Sequence, residues 1–411
     1  MKTYKGLYDK CLNREYIRQM ILETAKGKRK RRDVMRTLQQ IDRYTEIIYQ
    51  MLLNESYVPK LPKESLIDEG TKHKKRVIRK VRFFDQIIHH IAMDACAAVF
   101  MRGMYAHCCG SVPGRGIHHA KRYVERWIRT DYKNTKYCVQ MDIHHYFESV
   151  DHEILKAKLQ KCIADKRMIK LLGSIIDGGG EGLPLGFSPS QWFANFMLQD
   201  LDHFIKEQLH VKYYARYMDD MVIFGRNKKE LHRARAAIAE YLQTNLNLQM
   251  KGNYQLFRMA YTDRQGKERG KALDFMGYRF YRDKTVLRKS LMHRITRTAT
   301  RIGRKNRPTA YDAARMLSYM GWISRSDTYG MYERWIKPKV SVKQLKKIAS
   351  KSGKEKTEHV KNCVENGGRD AGRKTGNGGR KQQPVKSIPA QEHYAGNDNA
   401  GVRGHRESLA V

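Results

Sequence analysis

The sequence predicts an α+β protein in which helices and antiparallel strands are interspersed. Apolar residues recur at helical spacing in RTLQQIDRYTEIIYQMLLN, residues 36–54. The run ARYMDDMVIF, residues 215–224, is rich in strand-forming residues and is followed by Gly225, which predicts a hairpin with Asp219 and Asp220 at its tip. No regular βαβ alternation or internal repeat accompanies these elements, so a parallel sheet is not expected.

The remaining elements follow from the same patterns, taken in chain order. Residues 1–70 are predicted to be helical and basic, and the segment after them to begin extended and then to continue as a helix to about Phe100. CGSVPGRG, residues 109–116, has the composition of a loop. The later predictions are a strand at 136–143, helices at about 151–176, 189–209 and 228–245, a strand pair within 272–289, and mostly helices over 290–345.

The charge of the chain is strongly positive, with a formal value of +39. The segment from Lys346 to the end carries 14 basic and 7 acidic residues, which leaves +32 on residues 1–345. Such an excess on the folded part indicates a polyanionic partner, and nucleic acid is the partner we expect. The segment after residue 346 is rich in glycine and poor in apolar residues, so we predict that it is disordered.

Several classes of protein are disfavoured by the composition. No apolar run approaches the ~20 residues of a membrane-spanning helix, and MKTYKGLYDKCLNREYIRQM at the N-terminus lacks the apolar core of a signal peptide. The seven cysteines form no CxxC pair, which favours reduced thiols over a zinc site. We therefore expect a cytoplasmic protein without a membrane partner.

The adjacent carboxylates of Asp219 and Asp220 repel each other unless something compensates their charge. A polar turn is one interpretation, since aspartate is common in turns. A site for two divalent cations is the other, because such sites need several oxygen ligands that converge on the ions. Asp142 supports the second interpretation, since it ends the predicted strand CVQMD, whereas Asp151 suits the role of a helix cap.

Three motifs in this order resemble motifs A, C and E of reverse transcriptases. They are Asp142 with Phe147, YMDD at 217–220 and FMGY at 275–278, and the resemblance to the polymerase domain covers roughly residues 70–285. It implies a right-hand polymerase with fingers, an antiparallel palm sheet and a thumb. It also implies RNA-directed DNA polymerase activity, in which a primer 3′-hydroxyl attacks the α-phosphate of a deoxynucleotide.

The resemblance assigns roles to individual residues. Asp142, Asp219 and Asp220 would be the catalytic carboxylates and hold two Mg²⁺ ions, which Mn²⁺ can replace. The aromatic ring of Phe147 would exclude a ribose 2′-hydroxyl, whereas an RNA polymerase would favour a polar residue there; packing in the core is the alternative role. Lys251 would be the motif D lysine that protonates pyrophosphate. Lys74 and Arg76 of KKRVIR would bind the triphosphate. The primer grip would be formed by Phe275, Met276, Gly277 and Tyr278.

Motif B, GLPLGFSPSQWFAN at 182–195, is the most informative stretch. Most reverse transcriptases carry Gln-Gly where this chain has Leu185-Gly186, and Ser-Pro where it has Ser190-Gln191. Both departures are typical of diversity-generating retroelements, in which the aliphatic residue is associated with misincorporation opposite template adenine. We assign Leu185, Gly186 and Gln191 to the nucleotide site on this basis, although a neutral apolar exchange at Leu185 is an alternative. Phe187-Ser188-Pro189 differs from the sequence most common at these positions in diversity-generating retroelements. The subgroup to which the chain would belong therefore stays open.

The predicted domains are a helical N-terminal extension, fingers and palm, a basic helical thumb and a tail, at 1–70, 71–285, 286–345 and 346–411. The partners implied are an RNA template, a DNA or RNA primer and deoxynucleoside triphosphates, with a small basic accessory protein by resemblance. Retron-like, intron-like and antiviral-defence reverse transcriptases remain alternatives. A non-catalytic RNA-binding scaffold is the alternative outside enzymes, and the intact carboxylates disfavour it.

Overall fold

The computed structural model describes residues 3–68 and 75–351, and at residues 68, 75 and 76 it describes the backbone alone. The N-terminal part is helical, as predicted, and Asn13 begins α2 by accepting a hydrogen bond from the Tyr16 N–H at 2.9 Å. Its helices are α1 (Leu7–Cys11), α2 (Arg14–Ala25), α3 (Arg32–Gln39) and α4 (Ile41–Leu53).

A two-stranded antiparallel sheet follows these helices. Strand β1 (Lys63–Asp68) pairs with β2 (Lys75–Lys80). The prediction of helix through residue 70 is therefore wrong for β1. Its sequence KESLID has few strand-forming residues, and the strand is defined by its partner across the sheet rather than by local preference.

The central part alternates helices with strands of one sheet. The two long helices predicted before the hairpin are interrupted, and Asp165 begins a new helix at one break by accepting from the Met168 N–H at 3.2 Å. The helices are α5 (Phe83–Ala95), α6 (Ala97–Arg102), α7 (Ile117–Thr130), α8 (His152–Cys162), α9 (Lys166–Asp177), α10 (Ser188–Met197), α11 (Gln199–His203), a π-helical turn (Phe204–Gln208) and α12 (Lys228–Leu246).

The sheet that carries the site has four antiparallel strands in the order β4-β5-β3-β6. They are β3 (Tyr137–Asp142), β4 (Tyr213–Tyr217), β5 (Asp220–Gly225) and β6 (Gln255–Arg258), of which β6 was not predicted. Successive side chains of a strand point to opposite faces. Val139 and Met141 therefore pack into the core under one face, whereas Cys138 packs on the other face, to which Gln140 and Asp142 also belong.

A small hairpin and a three-stranded sheet come next in the chain. The small hairpin, which was not predicted, joins β7 (Tyr261–Thr262) and β8 (Glu268–Arg269). The strand pair predicted within 272–289 is a sheet of three strands, namely β9 (Leu273–Phe275), β10 (Tyr278–Phe280) and β11 (Thr285–Leu287) in the order β11-β10-β9.

The C-terminal described part is helical, as predicted. It contains α13 (Lys289–Gly303), α14 (Ala310–Ile323), α15 (Tyr329–Trp335) and a last helix over 342–351. Residues 346–351 were predicted to be disordered, and that boundary is wrong, because Ile348 and Ala349 pack on the core that holds Leu345. The rest of the predicted tail, 352–411, lies outside the described residues. Within those residues no helix is long and apolar enough to cross a membrane.

Candidate active site

The hairpin of β4 and β5 was predicted to have both carboxylates at its tip; the turn carries Asp219, and Asp220 begins β5 directly after it. Tyr217 and Asp220 pair across the hairpin, so Met218 and Asp219 form its two-residue loop. Met218 has φ of 57°, in the left-handed region, which two-residue hairpin loops require at one or both positions. A side chain other than glycine is strained there, so the surrounding contacts must hold the turn.

A buried ion pair next to this turn helps to hold its shape. Arg216 is fully buried, and its guanidinium binds Asp202 through Nε to Oδ1 at 2.8 Å and Nη2 to Oδ2 at 2.6 Å. The hydroxyl of Tyr214 also donates to Asp202 Oδ1, at 2.7 Å. Arg216 Nη1 donates to the carbonyl oxygen of Met218 at 3.1 Å. The fork-shaped guanidinium therefore ties the strained residue of the turn to α11.

Two further residues complete this support. Asn195 accepts a hydrogen bond from Arg216 Nη1 at 3.1 Å, and its Nδ2 donates to the Gly110 carbonyl at 2.6 Å. A Cβ atom on Gly110 would lie 2.7 Å from the backbone nitrogen of Met218, so only glycine allows this approach. The turn support consists of Gly110, Asn195, Asp202, Tyr214 and Arg216.

Asp142 lies opposite Asp220 at the adjoining ends of β3 and β5. Its Oδ2 forms an ion pair with Lys251 Nζ, and the Lys251 N–H donates to the Asp142 carbonyl at 2.8 Å. Asp142 Oδ1 is buried and has no hydrogen-bond partner among the described residues. The structure thus brings all four predicted catalytic residues to one place, Asp142, Asp219, Asp220 and Lys251.

The carboxyl groups of the hairpin resist ionisation in this position. Burial, and after it the neighbouring charge of Asp142, raise the pKa of Asp219 to about 6. Burial is also the main reason why the pKa of Asp220 rises to about 7, which a hydrogen bond from Gln140 opposes. Both shifts indicate that the protein groups around Asp219 and Asp220 do not offset the cost of burying these two charges.

These properties fit a divalent cation, although the described residues contain no group of three or more His, Cys, Asp and Glu side chains with metal-holding geometry. The fit rests on the unpartnered oxygen of Asp142 and on the raised pKa values of Asp219 and Asp220. Hard cations such as Mg²⁺ prefer carboxylate oxygens. Asp142 and Asp219 are the side chains that would hold such an ion, with Asp220 beside them.

The carboxylates open into a cleft of about 710 Å³ that also presents positive charge. Gln140 Nε2 donates to the Asp274 carbonyl at 3.1 Å and lies 3.4 Å from Asp220 Oδ1, and the Asp274 side chain binds Arg288 Nε at 2.6 Å. The sequence reasoning missed these residues, although strand alternation places Gln140 on the face of Asp142. The basic residues that line the cleft are Lys251, Lys271, Arg279, Arg288 and Lys289.

The residues predicted to contact the nucleotide form a second group. The carbonyl of Phe147 accepts from the Leu183 N–H at 2.5 Å, and the carbonyl of Leu185 accepts from the Arg79 N–H at 2.9 Å, which joins the motif B loop to β2. Gly186 has φ of 107°, and a Cβ atom there would lie 2.6 Å from the Arg79 carbonyl. Phe147 and Leu185 are half-buried and Gln191 is exposed. None of these residues lines the carboxylate cleft as it is described.

The predicted primer grip is a tight hairpin beside the cleft. Phe275 pairs with Tyr278, and the loop residues Met276 and Gly277 have φ of 52° and 82°. The Tyr278 hydroxyl lies 2.9 Å from His118 Nδ1. The hairpin is thus anchored by buried rings, and its role in gripping a primer stays a prediction.

The triphosphate ligands predicted from KKRVIR are only partly described. Lys74 lies outside the described residues, and the backbone of Arg76 pairs with Ile67 in the β1–β2 sheet. Their assignment therefore stays a prediction.

The fold and the site together define a class of protein. An antiparallel sheet presents carboxylates at the ends of two neighbouring strands, beside a basic cleft, which agrees with the predicted palm of a right-hand polymerase. Residues 61–254 match the family described as reverse transcriptase (RNA-dependent DNA polymerase).

Three curated proteins are similar to parts of this chain. Protein YkfC of Escherichia coli strain K12 is 26% identical over 175 residues, which are 40% of this chain and 45% of that protein. Retron Ec73 reverse transcriptase of Escherichia coli is 28% identical over 109 residues, 23% of this chain and 34% of that protein. An uncharacterized 91 kDa protein in the cob intron of Schizosaccharomyces pombe is 29% identical over 132 residues, 30% of this chain and 16% of that protein. The chain spans less than half the length of these relatives.

Solved telomerase structures are also similar. The apo telomerase of Candida Tropicalis truncated from its C-terminal domain has a TM-score of 0.39 and 14% identity, over 55% of each chain. The telomerase of Candida albicans in complex with a TWJ fragment of telomeric RNA has a TM-score of 0.41 and 10% identity, over 67% of this chain and 55% of that one. Likeness at this level adds nothing to the assignment.

Proposed function

We propose that the protein is an RNA-directed DNA polymerase that copies an RNA template into DNA. The observation that carries the proposal is the meeting of Asp142, Asp219 and Asp220 at adjoining strand ends inside the reverse transcriptase domain. The substrates are a primer with a free 3′-hydroxyl and deoxynucleoside triphosphates. The hydroxyl attacks the α-phosphate, and pyrophosphate leaves.

The side chains of the site have separate tasks in this reaction. Asp142 and Asp219 would hold Mg²⁺, which lowers the pKa of the attacking hydroxyl and neutralises phosphate charge. The ammonium group of Lys251 forms an ion pair with the Asp142 carboxylate. In this position Lys251 can donate a proton to the departing pyrophosphate. Arg279 and Arg288 line the same cleft and suit the phosphates of primer and template.

The RNA template fits the charge of the folded part. Residues 1–345 carry +32 of the formal +39 charge, and phosphate contacts by lysine and arginine dominate affinity for nucleic acid. We propose that the basic helix α13 and the residues after it act as the thumb, which contacts the duplex backbone without reading sequence. A small basic accessory protein is part of the proposal by resemblance alone.

We further propose that copying is error-prone, as in a diversity-generating retroelement, and the support is Leu185. The backbone of Leu185 is fixed by the Arg79 N–H, and its side chain is half-buried. An aliphatic side chain keeps the volume of the usual glutamine but lacks its amide, so it offers no hydrogen bond to the incoming nucleotide. A retron-like role is the second candidate, which the similarity to Retron Ec73 reverse transcriptase favours. A template repeat and a near-identical variable repeat in the neighbouring genes would distinguish the two.

A non-catalytic RNA-binding scaffold explains the site less well. Such a protein would keep three neighbouring carboxylates without using them, and burial makes the ionisation of Asp219 and Asp220 costly. The proposal is tested by primer extension on homopolymer RNA with the Asp219→Asn variant. We expect DNA synthesis to fall to background while RNA affinity stays unchanged or rises slightly, because lysine and arginine provide the affinity.

The matched control is Asp42→Asn, since Asp42 lies on α4 with 88% of its side chain exposed. This variant should extend primers like the parent protein. Near-parental extension by Asp219→Asn would remove the assignment of the active site.

A further inference from the structure

A second basic surface lies at the other end of the palm sheet. Tyr137 begins β3 and Arg226 follows the end of β5, and both line a cavity of about 880 Å³. The same two strands carry Asp142 and Asp220 at their opposite ends. Five steps of about 3.3 Å separate Tyr137 from Asp142 along β3, so the two surfaces are ~17 Å apart.

Five exposed cations give this surface its charge. Within the described residues, none of the five forms an ion pair. Glu230 is the acidic residue that lines the cavity, whereas Lys212 nearby is paired with Asp131 at 2.9 Å. We call the five cations with Tyr132, Tyr137 and Tyr261 the distal patch; the cations are Lys133, Lys136, Arg226, Lys228 and Arg258.

Aromatic rings are interleaved with these cations. The guanidinium of Arg258 lies 3.6 Å from the ring centre of Tyr261, and that of Arg282 lies 4.5 Å from the ring centre of Tyr132. Arg282 is itself fixed by hydrogen bonds to two backbone carbonyls at 2.8 and 2.7 Å. Tyr132 remains 56% exposed. The patch thus combines phosphate-binding charges with the exposed ring of Tyr132, on which a base can stack.

We propose that the distal patch binds a single-stranded segment of RNA outside the polymerase cleft. Unpaired cations bind the backbone, and exposed rings bind unstacked bases, a combination that single-stranded nucleic acid uses and duplex does not. An acidic polypeptide would use the cations but not the ring faces. The site is separate from the carboxylates, so it does not depend on the proposed catalytic activity.

The test uses the full chain and a labelled oligouridylate of about 16 nucleotides, the upper site size of a single binding fold. Binding is measured with unlabelled RNA–DNA hybrid present at saturation, so that the cleft is filled. The variant reverses four patch charges, and its fold is checked by circular dichroism and thermal melting. Its substitutions are Lys136→Glu, Arg226→Glu, Lys228→Glu and Arg258→Glu.

The control reverses the same number of exposed charges on helices α3, α4, α8 and α9. We expect the oligouridylate affinity of the patch variant to fall at least about tenfold. The slope of log affinity against log salt should become less steep by about 3, because each of the four lost phosphate contacts contributes about 0.7. The control should change affinity by less than about threefold, since distant exposed charges are screened. The control substitutions are Arg36→Glu, Arg43→Glu, Lys161→Glu and Lys166→Glu.

A third variant, Tyr132→Leu, tests the stacking. The affinity for oligouridylate should fall at least about fivefold, which corresponds to the low end of base–aromatic stacking energies. Competition by polyglutamate should stay unchanged. Equal losses in the patch and control variants would show a diffuse positive field and overturn the proposal. Unchanged oligouridylate affinity in the patch variant would overturn the proposal too. It would also be overturned if polyglutamate competed as strongly as RNA and Tyr132→Leu did not change RNA affinity. Primer extension on a short template should be parental in the patch variant.

Discussion

Replacement of Arg216 by methionine should destabilise the protein strongly, because Asp202 would keep a fully buried charge without its partner. Both side chains have 0% exposure, and Tyr214 would be the remaining donor to the carboxylate. Removing one partner of a buried ion pair lowers the free energy of unfolding by about 3–5 kcal/mol. For a domain of 150–250 residues each kcal/mol lowers the melting temperature by about 2–4 °C, so a fall of roughly 10 °C is expected.

The measurements are urea and thermal unfolding of three variants. Arg216→Met alone should show the full loss, whereas Arg216→Met with Asp202→Leu should recover much of it, because neither charge then remains buried. The control is Arg18→Met, since Arg18 forms an exposed ion pair with Asp42 at 3.3 Å and should cost less than about 1 kcal/mol. A loss below about 1 kcal/mol for Arg216→Met would refute the reasoning, and so would a double variant less stable than the single one.

The effect on the turn can be measured separately from stability. Well below the melting temperature, Arg216→Met should still lower kcat for primer extension, since the Met218 carbonyl loses its hydrogen bond at 3.1 Å. RNA affinity should stay parental, because Arg216 is buried and does not present its charge at the surface. Parental kcat in a folded variant would show that the turn holds its shape without Arg216.

Three further predictions concern sugar choice, fidelity and acid stability. Phe147→Ala should admit ribonucleotides into the product, and unchanged exclusion of ribonucleotides would leave Phe147 a packing residue. Leu185→Gln should reduce errors opposite template adenine a few-fold to about tenfold, since one hydrogen bond contributes ~0.5–1.5 kcal/mol; an unchanged substitution spectrum on a defined RNA would contradict the role of Leu185. A hydrogen bond from Lys305 is the main reason why the pKa of Asp312 falls to about 2, so the stability that Asp312 contributes should be complete above pH 4 and disappear as the pH falls towards 2. Urea midpoints over this range should depend less on pH in Asp312→Asn, and equal dependence in both proteins would contradict this.

The parts of the site that the sequence predicted are those that local patterns determine. A run of strand-forming residues predicted a hairpin with Asp219 and Asp220 at its tip, and the end of an apolar run predicted Asp142 at a strand end; the structure has Asp219 in the loop, Asp220 at the start of β5 and Asp142 at the end of β3. Resemblance added Lys251, which the structure brings to Asp142. None of these inferences needed the distances between elements.

The parts that were missed depend on contacts between distant segments. Arg216 looks like one of 81 basic residues in the sequence, and its burial follows only from the approach of Asp202. Strand β1 has a polar sequence and exists through its pairing with β2. The helix at 342–351 continues past the predicted boundary because two of its apolar residues reach the core. Single-sequence patterns carry little information about such pairings.

The turn support has a consequence for how related sequences can diverge. The short motif YMDD keeps its shape through Tyr214 and Arg216 of the strand before it and through Gly110, Asn195 and Asp202, which lie outside the hairpin. A change at one of these positions removes a partner of another, so accepted changes should occur in matched combinations. Transplanting the motif into a different scaffold would likewise transfer the carboxylates without their geometry, unless the five supporting positions were transferred with it.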